Sequence, residues 1–131
     1  MEIHFKTIGI LLIALALIHA TFPKRFNWDK ELSSLSLINR QMMLVHTFFI
    51  AFVLFLMGVL CLTSSKELID TALGKKVSLG FGVFWSIRLV VQFFGYSSAL
   101  WKGKTFETIT HILFSLFWAY LGFIFLATYF S

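Results

Sequence analysis

A chain of 131 residues that is 59% hydrophobic and only 13% charged is too apolar for a soluble domain of this size. Its single cysteine, Cys61, excludes a disulfide framework and a CxxC redox pair. The formal net charge of +5 lies mostly in connecting segments, where it suits anionic lipid headgroups. No basic stripe interleaved with exposed aromatics offers a nucleic-acid surface, so nucleic acid is not an expected partner.

Four stretches reach the ~20 mostly apolar residues that a hydrocarbon layer of ~30 Å requires: Ile3–Phe22, Met42–Thr63, Val77–Trp101 and Thr108–Phe130. The first has its uninterrupted core at Ile8–Ile18, and Lys6 near its start can snorkel to the interface. The competing reading of this run is a cleaved signal peptide ending at Ile18-His19-Ala20. Met1–Lys6 carries one acid and one base, a poor positively charged leader, so a span is the preferred reading.

The first connection, Pro23–Gln41, is patterned. Asn27 stands where an N-cap is expected, and Trp28, Leu32, Leu35 and Ile38 recur at helical spacing, which predicts a short amphipathic helix in the headgroup layer. It is expected to merge with the second span through Asn39-Arg40-Gln41. The second connection, Ser64–Lys76, offers Ser64 or Ser65 as a cap and Gly74 as a stop, predicting one or two helical turns.

The spans show no strand alternation, and backbone satisfaction in lipid then requires helices. The expected fold is all-α integral membrane: one domain, residues 1–131, forming a four-transmembrane-helix bundle with a short amphipathic interfacial helix between helices 1 and 2. The Lys and Arg count is six beside the first and third connections and four beside the second connection and the termini. That bias favours cytoplasmic first and third connections. A multi-pass protein of an inner or plasma membrane is the expected setting, with the bilayer, a small-molecule or lipid ligand, a second copy or a larger membrane complex as partners.

Arg88 lies near the middle of the third run, where a guanidinium is expensive unless paired or facing a polar cavity. Trp85, Arg88, Gln92 and Tyr96 follow i, i+3, i+7 and i+11, a single helical stripe. His111, Ser115, Trp118 and Gly122 form a similar stripe on the fourth run. His46 shares a face with Met42, Phe49, Val53 and Met57. An up-and-down topology carries His19, His46 and His111 to one leaflet depth, with Gln92 and Tyr96 in the same layer and Arg40 and Glu107 just above it.

Three chemistries suit such a layer. His46 and His111 lie at matching depth on parallel spans, as bis-histidine ligation of a non-covalent b-type haem requires, with Arg40 or Arg88 for its propionates. His19, His46 and His111 suit a three-histidine metal site, for zinc or another transition metal. The third is a lipid or quinone headgroup pocket lined by Gln92, Tyr96, Trp85 and Ser115, with Arg88 as counter-charge. No acidic residue lies at depth in any run, which argues against proton-coupled export, and no motif fixes a reaction. The expected function is a membrane protein with a histidine-lined pocket binding a metal or haem for redox or metal-assisted chemistry. The alternative is a non-catalytic subunit or a lipid- or quinone-binding module whose polar residues organise helix packing.

Overall fold

A computed structural model describes residues 1–96 and 103–131. No strand occurs among the described residues, which form seven helices. Four of these are long and apolar enough to cross a membrane: α1 (Glu2–Ala20), α4 (Leu37–Thr63), α6 (Ala72–Phe94) and α7 (Thr105–Phe130). Short helices α2 (Phe22–Arg25) and α3 (Trp28–Glu31) lie between α1 and α4, and α5 (Ser65–Asp70) precedes α6. The chain divides into two compact units, residues 3–65 and residues 66–131 together with Met1 and Glu2.

In the first unit, Phe5, Ile8, Leu12 and Leu15 lie along one face of α1 and are buried, as are Leu54, Met57 and Cys61 of α4. The two helices meet through glycine. A Cβ on Gly9 would come within 2.7 Å of the Gly58 carbonyl oxygen, and one on Gly58 would meet the Gly9 oxygen at the same distance. Both are below any ordinary contact, so only hydrogen fits at this crossing.

The first connection is not one continuous amphipathic helix. It folds as the two single-turn helices α2 and α3, followed by turns. Asn27 holds the N-cap position of α3 with its carbonyl, but at φ 52° in the left-handed region and without a side-chain hydrogen bond, so the chain turns there between α2 and α3. α3 then ends at Glu31, and the turns that follow separate Leu35 and Ile38 from it. Ser36 caps the start of α4 instead, its Oγ accepting from the Asn39 N–H at 3.4 Å. That places Ile38 on α4 rather than on the connecting helix.

In the second unit the third long helix begins earlier than its apolar run suggests. Thr71 Oγ1 accepts from the Gly74 N–H at 2.9 Å and so caps α6 from Ala72. Gly74 is therefore not a stop. It lies inside α6 because a Cβ there would strike the Glu67 carbonyl oxygen, and Ser78 Oγ donates to the Leu68 carbonyl at 3.4 Å beside it. The helix ends at Phe94, with the Gly95 N–H bonded to the Val91 carbonyl at 2.7 Å. Tyr96 thus lies beyond α6, and residues 97–101 of the expected third span fall outside the described residues.

α6 and α7 run antiparallel. Lys75 Nζ donates to the Ser131 carbonyl at 3.2 Å at one end of the pair, and Gln92 reaches His111 at the other. Between them Gly82 fits under Leu126, Gly122 fits against Ser86, and Phe81 meets Phe125 edge-on at 5.3 Å.

Candidate functional site

Small residues bring α6 and α7 together near Gly82 and Gly122, and large rings fill the space further along. Trp85 stacks on Trp118 with ring centroids 5.1 Å apart and planes 9° from parallel. Phe114 and Phe117 flank the same indole. Trp85 is 2% exposed, Trp118 4% and Gln92 7%, so the polar atoms of these side chains are cut off from solvent and need internal partners.

Gln92 supplies one. The Trp118 indole N–H donates to Gln92 Oε1 at 3.2 Å, and Gln92 Nε2 stands 2.9 Å from His111 Nδ1. An indole nitrogen can only donate, so the Gln92 oxygen must accept and its amide must donate to Nδ1. His111 then carries its ring proton on Nε2. The sequence stripes of α6 and α7 placed these residues on facing surfaces, but the chain from Trp118 through Gln92 to His111 is the feature they did not show. Trp118 was legible only as a stripe member. The need of a buried indole for an acceptor was the available signal.

Arg88 is held by aromatic faces. Its Cζ lies 5.0 Å from the Trp118 ring centroid and 5.6 Å from that of Tyr96, and Nη2 donates to the Tyr96 hydroxyl at 3.4 Å. Tyr96 reaches Arg88 from the turn after α6, not from a helical stripe. Cation–π contacts contribute about 0.5–2 kcal/mol each, which offsets only part of the cost of withdrawing a charge from water. Arg88 Nη1 is buried with no hydrogen-bond partner among the described residues, and so is Trp85 Nε1. Both atoms are donors, and both side chains touch the Trp118 ring. The α6 sequence contains no Asp or Glu, and Glu107 in the first turn of α7 is the one acid of that helix.

The remaining expected site residues fall elsewhere. Ser115 Oγ donates to the His111 carbonyl of its own helix at 2.8 Å, so that hydroxyl is spent locally. His19, His46 and Arg40 belong to the other unit. His19 Nδ1 is 2.9 Å from the Leu15 carbonyl, an acceptor, so that nitrogen carries a proton, and its ring packs against Phe22 at 4.6 Å. His46 is on an exposed face of α4, in company with the exposed Met42, Phe49 and Val53, while Met57 further along is buried.

Among the described residues no group of three or more His, Cys, Asp and Glu side chains is gathered to hold a metal. The metal expectation for His19, His46 and His111 and the haem expectation for His46 and His111 therefore gain no support. The tautomer of His111 adds a physical objection. A histidine ligating through Nε2 ordinarily donates Nδ1–H to an acceptor, whereas here Nδ1 faces the amide donor of Gln92. Reversing that amide would set its NH2 against the Trp118 N–H. Comparison with protein-family models, curated proteins and solved structures gives no match to the chain.

Proposed function

We propose that this chain is a multi-pass membrane protein of an inner or plasma membrane whose α6–α7 hairpin binds a membrane-soluble amphiphile by an acceptor-rich headgroup. In this reading the four long helices form one bundle and the segment between α1 and α4 lies in the headgroup layer. Arg88 is the counter-charge, Trp85 a second donor, and the Tyr96 and Trp118 rings the walls. One observation carries the reading: Arg88 Nη1 and Trp85 Nε1 are buried donors without acceptors among the described residues, on side chains that share the Trp118 ring. A buried polar group without a partner costs about 1–3 kcal/mol and more when charged, and an oxygen-bearing headgroup removes that cost for both. The site's chemistry is hydrogen-bond donation and charge neutralisation, which is binding chemistry.

Phosphate oxygens of an anionic lipid and carbonyl oxygens of a quinone share this acceptor character. Native mass spectrometry of the detergent-purified protein, with absorbance of its organic extract, separates them by mass and by the quinone chromophore. The expected result is a ligand of one of these kinds, retained through detergent exchange by wild type and lost in Arg88→Leu. Arg88→Lys keeps the charge but not the planar fork that lies across two rings, and retains the ligand less well than wild type. Equal retention by wild type and Arg88→Leu overturns the reading. A Soret band or stoichiometric metal lost in His46→Ala or His111→Ala replaces it with the cofactor reading.

A further inference from the structure

A cleft of about 200 Å³ opens in the unit of residues 3–65, where the first connection meets α4. Trp28, Asp29 and Leu32 line it from the connection, and Leu37, Arg40, Gln41 and Leu44 from α4. The α4 residues follow i, i+3, i+4 and i+7, one face of the helix. Arg40 Nε is buried here and has no hydrogen-bond partner among the described residues. At this size the cleft is smaller than the ~300 Å³ at which drug-sized pockets begin, so it suits a headgroup and not a whole amphiphile.

Helix length sets its depth, given the membrane reading above. α4 has 27 residues, which at about 1.5 Å per residue is about 40 Å, against a hydrocarbon layer of about 30 Å. The surplus falls at the N-terminal end, because Asn39, Arg40 and Gln41 are there and residues 48–63 carry no charge. The cleft is therefore level with lipid headgroups.

Its walls carry opposite charges. Arg40 and Gln41 bring donors to the lining from α4, and Asp29 and Trp28 bring a carboxylate and an aromatic ring from the connection. An anionic headgroup would bring negative charge against Asp29, and a neutral one would leave the cation of Arg40 unanswered. We infer that the cleft takes the headgroup of a zwitterionic phospholipid, its phosphate on Arg40 and Gln41 and its ammonium on Asp29 and the Trp28 face. Charge-assisted hydrogen bonds and a cation–π contact are the interactions such a headgroup supplies.

The test uses the full chain in detergent, titrated with phosphatidylethanolamine or phosphatidylglycerol of identical acyl chains and read by native mass spectrometry. Wild type retains phosphatidylethanolamine better than phosphatidylglycerol. Arg40→Gln lowers that retention by about tenfold or more, the loss of a charge-assisted hydrogen bond. Asp29→Asn, at an exposed position, abolishes the preference and binds phosphatidylglycerol at least as well as wild type. Arg88→Leu leaves the preference intact, which separates this cleft from the hairpin site. Equal retention of the two lipids by wild type overturns the inference. So does wild-type retention in Arg40→Gln, or an unchanged preference in Asp29→Asn.

Discussion

Where α1 meets α4, Gly9 and Gly58 face each other backbone to backbone, with Ile13 and Leu62 closing around them. Where α6 meets α7, Gly82 and Gly122 also permit close approach, but the pair then adds stacked indoles, a buried glutamine, a histidine and a guanidinium. The crossing of the first pair is built from glycine and apolar side chains, Met57 and Cys61 being buried on the same helix as Gly58. The second pair combines a glycine approach of the same kind with a polar cluster. Part of it is self-satisfied, since Trp118, Gln92 and His111 answer one another. Arg88 and Trp85 are the part with donors left over among the described residues.

Substitutions at the two helix pairs separate the roles of packing and of polar contact. The largest effect belongs to Gly58→Leu, because the new side chain meets the Gly9 backbone and Ile13 at once. Overpacking against backbone is expected to cost about 3 kcal/mol or more, read as a large fall in the unfolding midpoint in detergent. Gln92→Leu comes next. It strands the Trp118 N–H and leaves His111 Nδ1 without its donor, for about 1–2 kcal/mol, and shifts the Trp118 indole N–H resonance. A wild-type midpoint in Gln92→Leu would mean that the hydrogen-bond chain does not hold the hairpin.

Arg88→Leu divides the two interpretations most sharply. If Arg88 only fastened helices, its loss would destabilise the delipidated protein. As an unanswered buried donor it is expected to leave stability unchanged or raise it by about 1 kcal/mol, while ligand retention falls. Ser115→Ala has the smallest effect, within about 0.5 kcal/mol and with unchanged retention, since the Ser115 hydroxyl bonds its own helix.

The long helices were legible in the sequence because apolar length is itself the signal, and so were the Thr63 end of α4 and the Phe130 end of α7, yet the bounds of α6 were not. Thr71 and Gly95 bound α6 through hydrogen bonds that hydropathy does not register. Gly74 resembled a stop because a glycine kept for close approach and one kept for chain reversal look alike until the crossing helix is known. Asn27 does stand at the N-cap position of α3, but its left-handed backbone and lack of a side-chain hydrogen bond were not readable, because asparagine serves both at caps and in the left-handed region. At the site, the spacing of Trp85, Arg88 and Gln92 and that of His111 and Trp118 were readable as stripes. His46 was not readable in the same way. A helix apolar on all sides does not announce which face is covered, and α4 leaves the His46 face exposed.

The long helices also differ in reach. α1 has 19 residues and α4 has 27, or about 28 Å and 40 Å at the helical rise. No single hydrocarbon thickness matches both, so in a bilayer α4 must tilt or overhang. A thicker membrane draws the Arg40 end of α4 towards acyl chains, and a thinner one lifts it into water. Lipid occupancy beside Trp28 is thereby tied to bilayer thickness as well as to headgroup charge.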